Sequence, residues 1–349
     1  SKAVSVKSTI PALEGIKIKL ADGVLELTGY DLEIGMRTSI PVKSDSSGEC
    51  VIHTRLFSEI SRRMPSDEIS FQIDDNLNVH ISGGSTEYDI SAFSCDEYPD
   101  LPYMENQKQF SLPQSILKSM INQTIYAVSV IDTKPVLTGE LFDIENGVFN
   151  LVAIDGYRLA VRTEKINCDD NFRFVVPSKA LNEISRLLKD DDGLMCDVFT
   201  NNKHIMFDVN GYCFFSRLLE GDFHNYKSSL FTDFQTEVLI KTKDFIECLE
   251  RCSLLINSTN KAPVKCTFNI DSMHIDCKTS IGRINDNIFA DVSGDNITIG
   301  FNNKFLMDAL KASESDKVRM LLNAPNKPVE VLPLQGDSYN FLLMPVNLK

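Results

Sequence analysis

Residues 178–189 read SKALNEISRLLK. On a helix this puts Ala180, Leu181, Ile184, Leu187 and Leu188 on one apolar stripe and Lys179, Glu183 and Arg186 opposite, the pattern of an amphipathic helix lying on a core. The charged face recurs. Basic, three residues, acidic, two residues, basic occurs as Arg55/Glu59/Arg62, Lys179/Glu183/Arg186 and Lys304/Asp308/Lys311, with starting positions 124 and 125 residues apart. A long period with a preserved face predicts three copies of one domain: residues 1–107, 108–227 and 228–349.

Other positions keep the same spacing. Ala3-Val4-Ser5-Val6 returns as Ala127-Val128-Ser129-Val130, and Pro11, Leu13 and Gly15 return as Pro135, Leu137 and Gly139. Asp22-Gly23-Val24 is mirrored by Asn146-Gly147-Val148. In the first copy, alternation over 16–20 and 24–28 around an Asp-Gly turn predicts a hairpin. Strands are expected over 32–40, 50–53, 69–73, 77–82 and 86–93, with a helix over 54–64. The third copy reads as a strand at 238–241, a helix over 243–252, strands over 264–270, 273–279 and 297–301, a helix over 303–311, and strands over 318–322, 329–333 and 339–344. Each copy is therefore α+β, short antiparallel strands with helices packed on them. The second copy opens with a strand and helix over 110–123 that has no counterpart ahead of Ser1, so the first copy is expected to lack its N-terminal strand and most of a helix. The linkers at 103–108 and 227–234 are short and polar, as between packed domains.

Hydrophobic residues make up 43% of the chain, a globular composition, and no run of 18 apolar residues occurs. No secretory signal is read at the start. Nine cysteines, an odd number without framework spacing, read as reduced thiols, and a cytoplasmic location is expected. The net charge of −14 argues against a nucleic-acid partner, but it is unevenly spread. The five helix windows 54–64, 114–123, 178–189, 243–252 and 303–311 together carry +5, leaving −19 on the rest. An acidic body with cationic helices repels nucleic acid except along one surface.

Signals of catalysis are weak. There is no P-loop, G-x-G-x-x-G, H-E-x-x-H or G-x-S-x-G. Cys248 and Cys252 lie one helical turn apart without the further ligands a zinc site needs, and the five histidines are isolated. No metal, cofactor or catalytic set is expected. The informative stretch is residues 151–162, LVAIDGYRLAVR, a strand, an Asp-Gly turn and a second strand carrying Arg158. The first copy has Gly29-Tyr30-Asp31-Leu32-Glu33 at this place and the third has Thr279-Ser280-Ile281-Gly282-Arg283. Arg158 thus belongs to the middle copy alone, which suggests a role the others lack.

With these residues in view, the chain resembles the bacterial sliding clamps, the β subunits of DNA polymerase III, over essentially its whole length. The resemblance is carried by Ser8-Thr9-Ile10-Pro11, by Ala21-Asp22-Gly23 followed by Leu25-Glu26-Leu27-Thr28-Gly29 and Asp31-Leu32-Glu33, and by Phe110-Ser111-Leu112-Pro113. Asp155-Gly156-Tyr157-Arg158-Leu159-Ala160-Val161 and the terminal Met344-Pro345-Val346-Asn347-Leu348 complete it. It implies the DNA-clamp fold, with helices lining a hole and antiparallel sheets outside, in a ring-shaped head-to-tail homodimer around duplex DNA. Lys7, Arg55, Arg62, Lys118, Lys179, Arg186, Lys304 and Lys311 would then face the DNA channel. The resemblance also implies a pocket for peptides of the polymerase, the clamp loader and repair proteins. Its residues would be Leu137, Ile154, Gly156, Tyr157, Arg158, Leu159, Asn302, Phe305, Leu342, Leu343 and Met344. His224, Ser228, Ser229 and Asn347 depart from the family pattern at its rim, which puts peptide preference in doubt. Tyr98, Pro99 and Leu101 with Leu255 and Ile256 match the family's subunit joint. Two rival readings stay open: a scaffold of the same fold that never loads on DNA, and a hydrolase using the loop Asp155–Arg158.

Overall fold

The computed structural model describes residues 3–4, 8–44, 46–105, 107–131, 133–230, 233–256 and 262–348. Three tight turns set the meander pattern: Asp22/Gly23, Asn146/Gly147 and Asn210/Gly211 all have positive φ at both positions, with values from 52° to 74° at the second pair. Two left-handed residues in succession give the turn whose twist matches a hairpin, and Asn, Asp and Gly tolerate it best.

In chain order the first copy contains β1 (Gly15–Ala21), β2 (Val24–Tyr30), β3 (Ile34–Pro41), β4 (Gly48–His53), α1 (Thr54–Arg63), β5 (Ser70–Ile73), β6 (Asn78–Gly83) and β7 (Thr86–Ser91). The second has β8 (Lys108–Pro113), α2 (Gln114–Thr124), β9 (Gly139–Glu145), β10 (Val148–Ile154), β11 (Arg158–Lys165), β12 (Phe172–Pro177), α3 (Ser178–Leu187), β13 (Met195–Thr200), β14 (His204–Val209) and β15 (Tyr212–Arg217). The third has β16 (Thr236–Lys241), α4 (Thr242–Ser253), β17 (Val264–Asn269), β18 (Ser272–Lys278), β19 (Arg283–Gly294), β20 (Ile297–Phe301), α5 (Asn303–Ala312), β21 (Lys317–Leu322), β22 (Val329–Pro333) and β23 (Tyr339–Leu343). Four strands, a helix and three strands therefore occur three times.

The chain forms two compact units that cut across these copies. One comprises Ser1–Gln114 and Arg186–Leu218; the other comprises Ser115–Ser185 and Leu219–Lys349. The reason is that sheets continue from one copy into the next. In the first unit β15 pairs antiparallel with β3, making an eight-stranded sheet, with β5, β6 and β7 in a separate small one. In the second unit β11 pairs with β23 in the same way, within a twelve-stranded sheet.

The apolar stripe of α3 is buried: Ala180, Leu181 and Ile184 are fully enclosed. Leu188, also buried, falls just past the last helical residue, and Leu187 is only half-buried. Two expected strand bounds shift for local reasons. β3 begins at Ile34, not 32, because the Asp31 carboxylate accepts from Glu33 N (3.0 Å) and Ile34 N (2.7 Å) and Leu32 sits at φ 75°, forming a turn. Phe93 lies beyond β7 and makes an isolated bridge with Val51. Among the described residues no helix is long and apolar enough to cross a membrane.

Candidate binding groove and cationic helix faces

The turn between β10 and β11 is built by Asp155. One carboxylate oxygen accepts from Tyr157 N (2.8 Å) and Arg158 N (3.0 Å), and Gly156 supplies the positive φ of 92° that this tight return needs. The other oxygen accepts from Arg158 Nε at 3.0 Å. Arg158 Nη1 donates to Asp308 on α5 at 2.7 Å, and the guanidinium lies over two rings, 5.2 Å from the centre of Tyr126 and 4.4 Å from that of Phe305. Only 7% of Arg158 is exposed. A planar, delocalised cation suits such a slot, set against aromatic rings and hydrogen-bonded at its edge.

Beside this turn opens a cavity of about 660 Å³, within the range of small-ligand and peptide sites. Its walls are mostly apolar: Val136, Leu137, Ile154, Tyr157, Leu159, Phe223, Pro328, Leu342 and Met344, with Gly156 and Arg158. The polar rim is Lys134, Asp222, His224 and Ser229, and the His224 ring lies 3.0 Å from the Ser229 hydroxyl. The segment bearing Phe223 and His224 is pinned from below. Buried Tyr226 donates to Asp143 at 2.8 Å, and Asp143 also takes Arg173 at 2.9 Å. Burial, reinforced by that carboxylate, pushes the Tyr226 hydroxyl well above its usual range, so it stays a donor.

Eight of the eleven expected pocket residues line this cavity. The other three lie elsewhere. Leu343 follows Leu342 on β23, and strand alternation turns it into the core of the third copy, 2% exposed. Asn302 is the N-cap of α5, accepting from Lys304 N (3.0 Å) and Phe305 N (3.3 Å), and it lines a separate cavity with Ser253, Ile256 and Met307. Phe305 stands behind Arg158, with its ring 6.3 Å from that of Tyr157. At the rim, the Ser228 hydroxyl donates to Asn225 O at 2.7 Å, and Asn347 is an exposed residue that does not line the cavity. Lys134, Val136, Asp222, Phe223 and Pro328 are wall residues that sequence reasoning missed. Their only common sign was nearness in sequence to Leu137 and His224, and Pro328 had none.

The cationic positions differ from helix to helix. Arg55 and Arg62 are exposed on α1, and Glu59 receives both Arg62 (3.1 Å) and Arg63 (2.9 Å). Lys179 and Arg186 are exposed on α3, and Lys118 is half-buried on α2. On α5, Lys304 and Lys311 are exposed, with Lys304 3.6 Å from Asp308 and Lys311 3.0 Å from Glu250 of α4. Asp308 thus serves Arg158, a residue of the groove wall, as well as Lys304. Lys7 lies outside the described residues.

The expected subunit-joint residues differ in exposure. Tyr98 is 6% exposed and its hydroxyl donates to Thr28 O at 3.1 Å, so it is a core residue of its own domain. Leu101 is half-buried in the same cluster, resting on Gly35. Leu255 and Ile256 are half-buried, while their neighbour Leu254 is 81% exposed. Leu255 packs at Gly282, just ahead of β19, and Arg251 Nε donates to Asp286 of β19 at 2.8 Å, so this end of α4 lies beside that strand.

Comparison with known proteins covers the chain from end to end. Residues 1–102, 111–225 and 227–347 match the N-terminal, central and C-terminal domain models of the DNA polymerase III beta subunit. A beta sliding clamp of Halalkalibacterium halodurans is 35% identical, spanning 99% of this chain and 95% of that protein. One from Bacillus subtilis is 32% identical, spanning 99% and 94%. The crystal structure of the DNA polymerase sliding clamp from Bacillus subtilis superposes with a TM-score of 0.95 at 31% identity, covering all of this chain and 95% of that one.

Proposed function

Because the chain belongs to the DNA polymerase III beta subunit family, the beta sliding clamps, we propose that it closes around duplex DNA as a head-to-tail homodimer and tethers the replicative polymerase for processive synthesis. It is a processivity subunit and not itself a catalyst. The observation that carries the reading is the repeated strand joint. The third strand of the first copy, β3, pairs with the last strand of the second, β15, and β11 pairs likewise with β23. The pattern leaves two equivalents, β19 and β7. Among the described residues β7 pairs only with β6, and Arg283–Phe289 of β19 only with β18. Joining β19 of one copy to β7 of the next satisfies both edges, and a second such joint closes the ring. In a closed ring retention is topological, so phosphate contacts at Arg55, Arg62, Lys118, Lys179, Arg186, Lys304 and Lys311 need only be weak and independent of sequence.

The apolar cavity beside Arg158 is where the polymerase catalytic subunit, the clamp loader and other clamp-binding proteins would dock a short segment bearing Leu and Phe. The cell compartment of such a complex is the cytoplasm, at the nucleoid. Substituting Glu at Arg55, Arg62, Lys179 and Arg186 together tests the central reading. All four are exposed, so folding should hold, while processive synthesis and salt-sensitive DNA binding should fail. Unchanged processivity would remove the channel assignment and leave the scaffold reading.

A further inference from the structure

Asp308 occupies the acidic position that α1 and α3 fill with Glu59 and Glu183, yet it faces two cations of unlike character. It accepts from Arg158 Nη1 at 2.7 Å, and Lys304 Nζ lies 3.6 Å away. The Arg158 side chain is 8% exposed and that of Lys304 76%. Arg158 forms part of the groove wall, and Asp308 does not line the groove. Asp155 takes Nε, Asp308 takes Nη1 and the guanidinium lies over the rings of Tyr126 and Phe305, so Asp308 supplies the hydrogen bond that reaches Arg158 from α5.

We propose that Asp308 is a positioning residue for the groove: it holds Arg158 in the wall, and as the shared counter-ion of Arg158 and Lys304 it makes the groove sense phosphate captured by Lys304. This rests on the reading of groove and cationic face given above. The Lys304 pair is exposed, weak and easily screened, whereas the Arg158 pair is enclosed. A phosphate on Lys304 takes that cation away from Asp308, whose charge then falls wholly on Arg158. The wall stiffens, and a peptide entering the groove loses less conformational freedom to the site. By linkage, the peptide strengthens phosphate capture by the same factor. An exposed pair limits the effect to about two- to fivefold.

The test measures fluorescence anisotropy of a labelled Leu- and Phe-bearing peptide on the full chain, with and without a short linear duplex at low salt. The parent should bind the peptide about two- to fivefold more tightly on the duplex. Asp308→Asn should weaken the peptide about tenfold and abolish the duplex effect, with Asp308→Glu restoring part of both. Lys304→Gln, an exposed and structurally mild change, should bind with the parent's duplex-bound affinity and ignore the duplex. Parental affinity in Asp308→Asn, or a duplex effect that survives Lys304→Gln, overturns the proposal. A parent that binds no such peptide defeats the groove reading itself; a parent that binds it while variants and duplex change nothing defeats the coupling alone.

Discussion

Truncating Arg158 to Ala separates a residue that holds the fold from one that only meets a ligand. The substitution removes two charge-assisted hydrogen bonds, to Asp155 at 3.0 Å and Asp308 at 2.7 Å, each worth about 1.5–3 kcal/mol when intact. It also removes the cation's contacts with the Tyr126 and Phe305 rings, about 1 kcal/mol more. Asp308 retains 26% side-chain exposure, and water there compensates part of its loss, so the lower end of the range applies to that bond. The sum is about 4–5.5 kcal/mol, near the upper end of the cost of stripping one partner from a buried pair. For a body of this size each kcal/mol moves the melting temperature by about 2–4 °C, so the transition containing Arg158 should fall by roughly 10–20 °C. Calorimetry with circular dichroism reads this directly. Because the guanidinium is enclosed, the loss should persist at high salt, unlike that of a surface pair. A shift under about 3 °C would refute the reasoning and return Arg158 to the role of a simple ligand contact.

Leu181→Ala, in the fully buried stripe of α3, should cost about 2–5 kcal/mol in denaturant unfolding, while Lys179→Ala on the exposed face should stay within about 0.5. Leu254→Asp, at a side chain 81% exposed, should leave the melting temperature unchanged yet weaken the dimer by about 2 kcal/mol in sedimentation; an unaltered dimer would move the joint away from α4 and β19. Glu140→Gln tests a buried carboxyl. Glu140 is wholly enclosed, with Thr124 donating to one oxygen at 3.0 Å, and burial raises its pKa well above the ordinary 4.5 despite that bond. The folded state therefore keeps a proton that the unfolded chain releases, and the contribution of Glu140 to stability falls as pH rises above 4.5. The Gln variant should lose this slope and be the more stable protein at neutral pH, as measured by urea unfolding across pH.

What was readable in the chain follows the physics of each element. α3 was legible because an enclosed stripe and an exposed face give opposite residues at a helical period, and the β10–β11 hairpin because Asp-Gly forces a left-handed position. β19 was missed. Its residues 283–289 alternate Arg, Asn, Asn and Phe on the exposed face with Ile, Asp and Ile on the half-buried one, so a charged residue, matched by Arg251, interrupts the inner face and a large apolar one ends the outer. β9 was obscured for the opposite reason: it is enclosed from Gly139 to Ile144, and an enclosed strand loses the alternation that marks a strand. The bond of Tyr98 to Thr28 was not legible either, because it joins positions 70 residues apart. The role of Asp308 could not be read at all. Its bond to Arg158 joins positions 150 residues apart, and nothing local to either residue announces it.

The carboxylates among the cations bear on how such a surface could slide. Arg62 shares Glu59 with Arg63, Lys304 leans on Asp308, and Lys311 is engaged by Glu250. A cation with a carboxylate neighbour gives up one charge partner to take a phosphate, so each contact gains only the difference between two exposed pairs, a fraction of a kcal/mol. A surface of lone cations would hold each phosphate more firmly, and every step along the duplex would require breaking several such contacts at once. Paired cations exchange partners in place instead: as one phosphate leaves, the internal carboxylate takes its position, and the barrier to moving stays low. The net charge of −14 works in the same direction, since it opposes any contact beyond those the helices make. Loose hold and high mobility are compatible only if something else prevents escape, and the proposed strand joints between subunits would provide that without adding affinity for DNA.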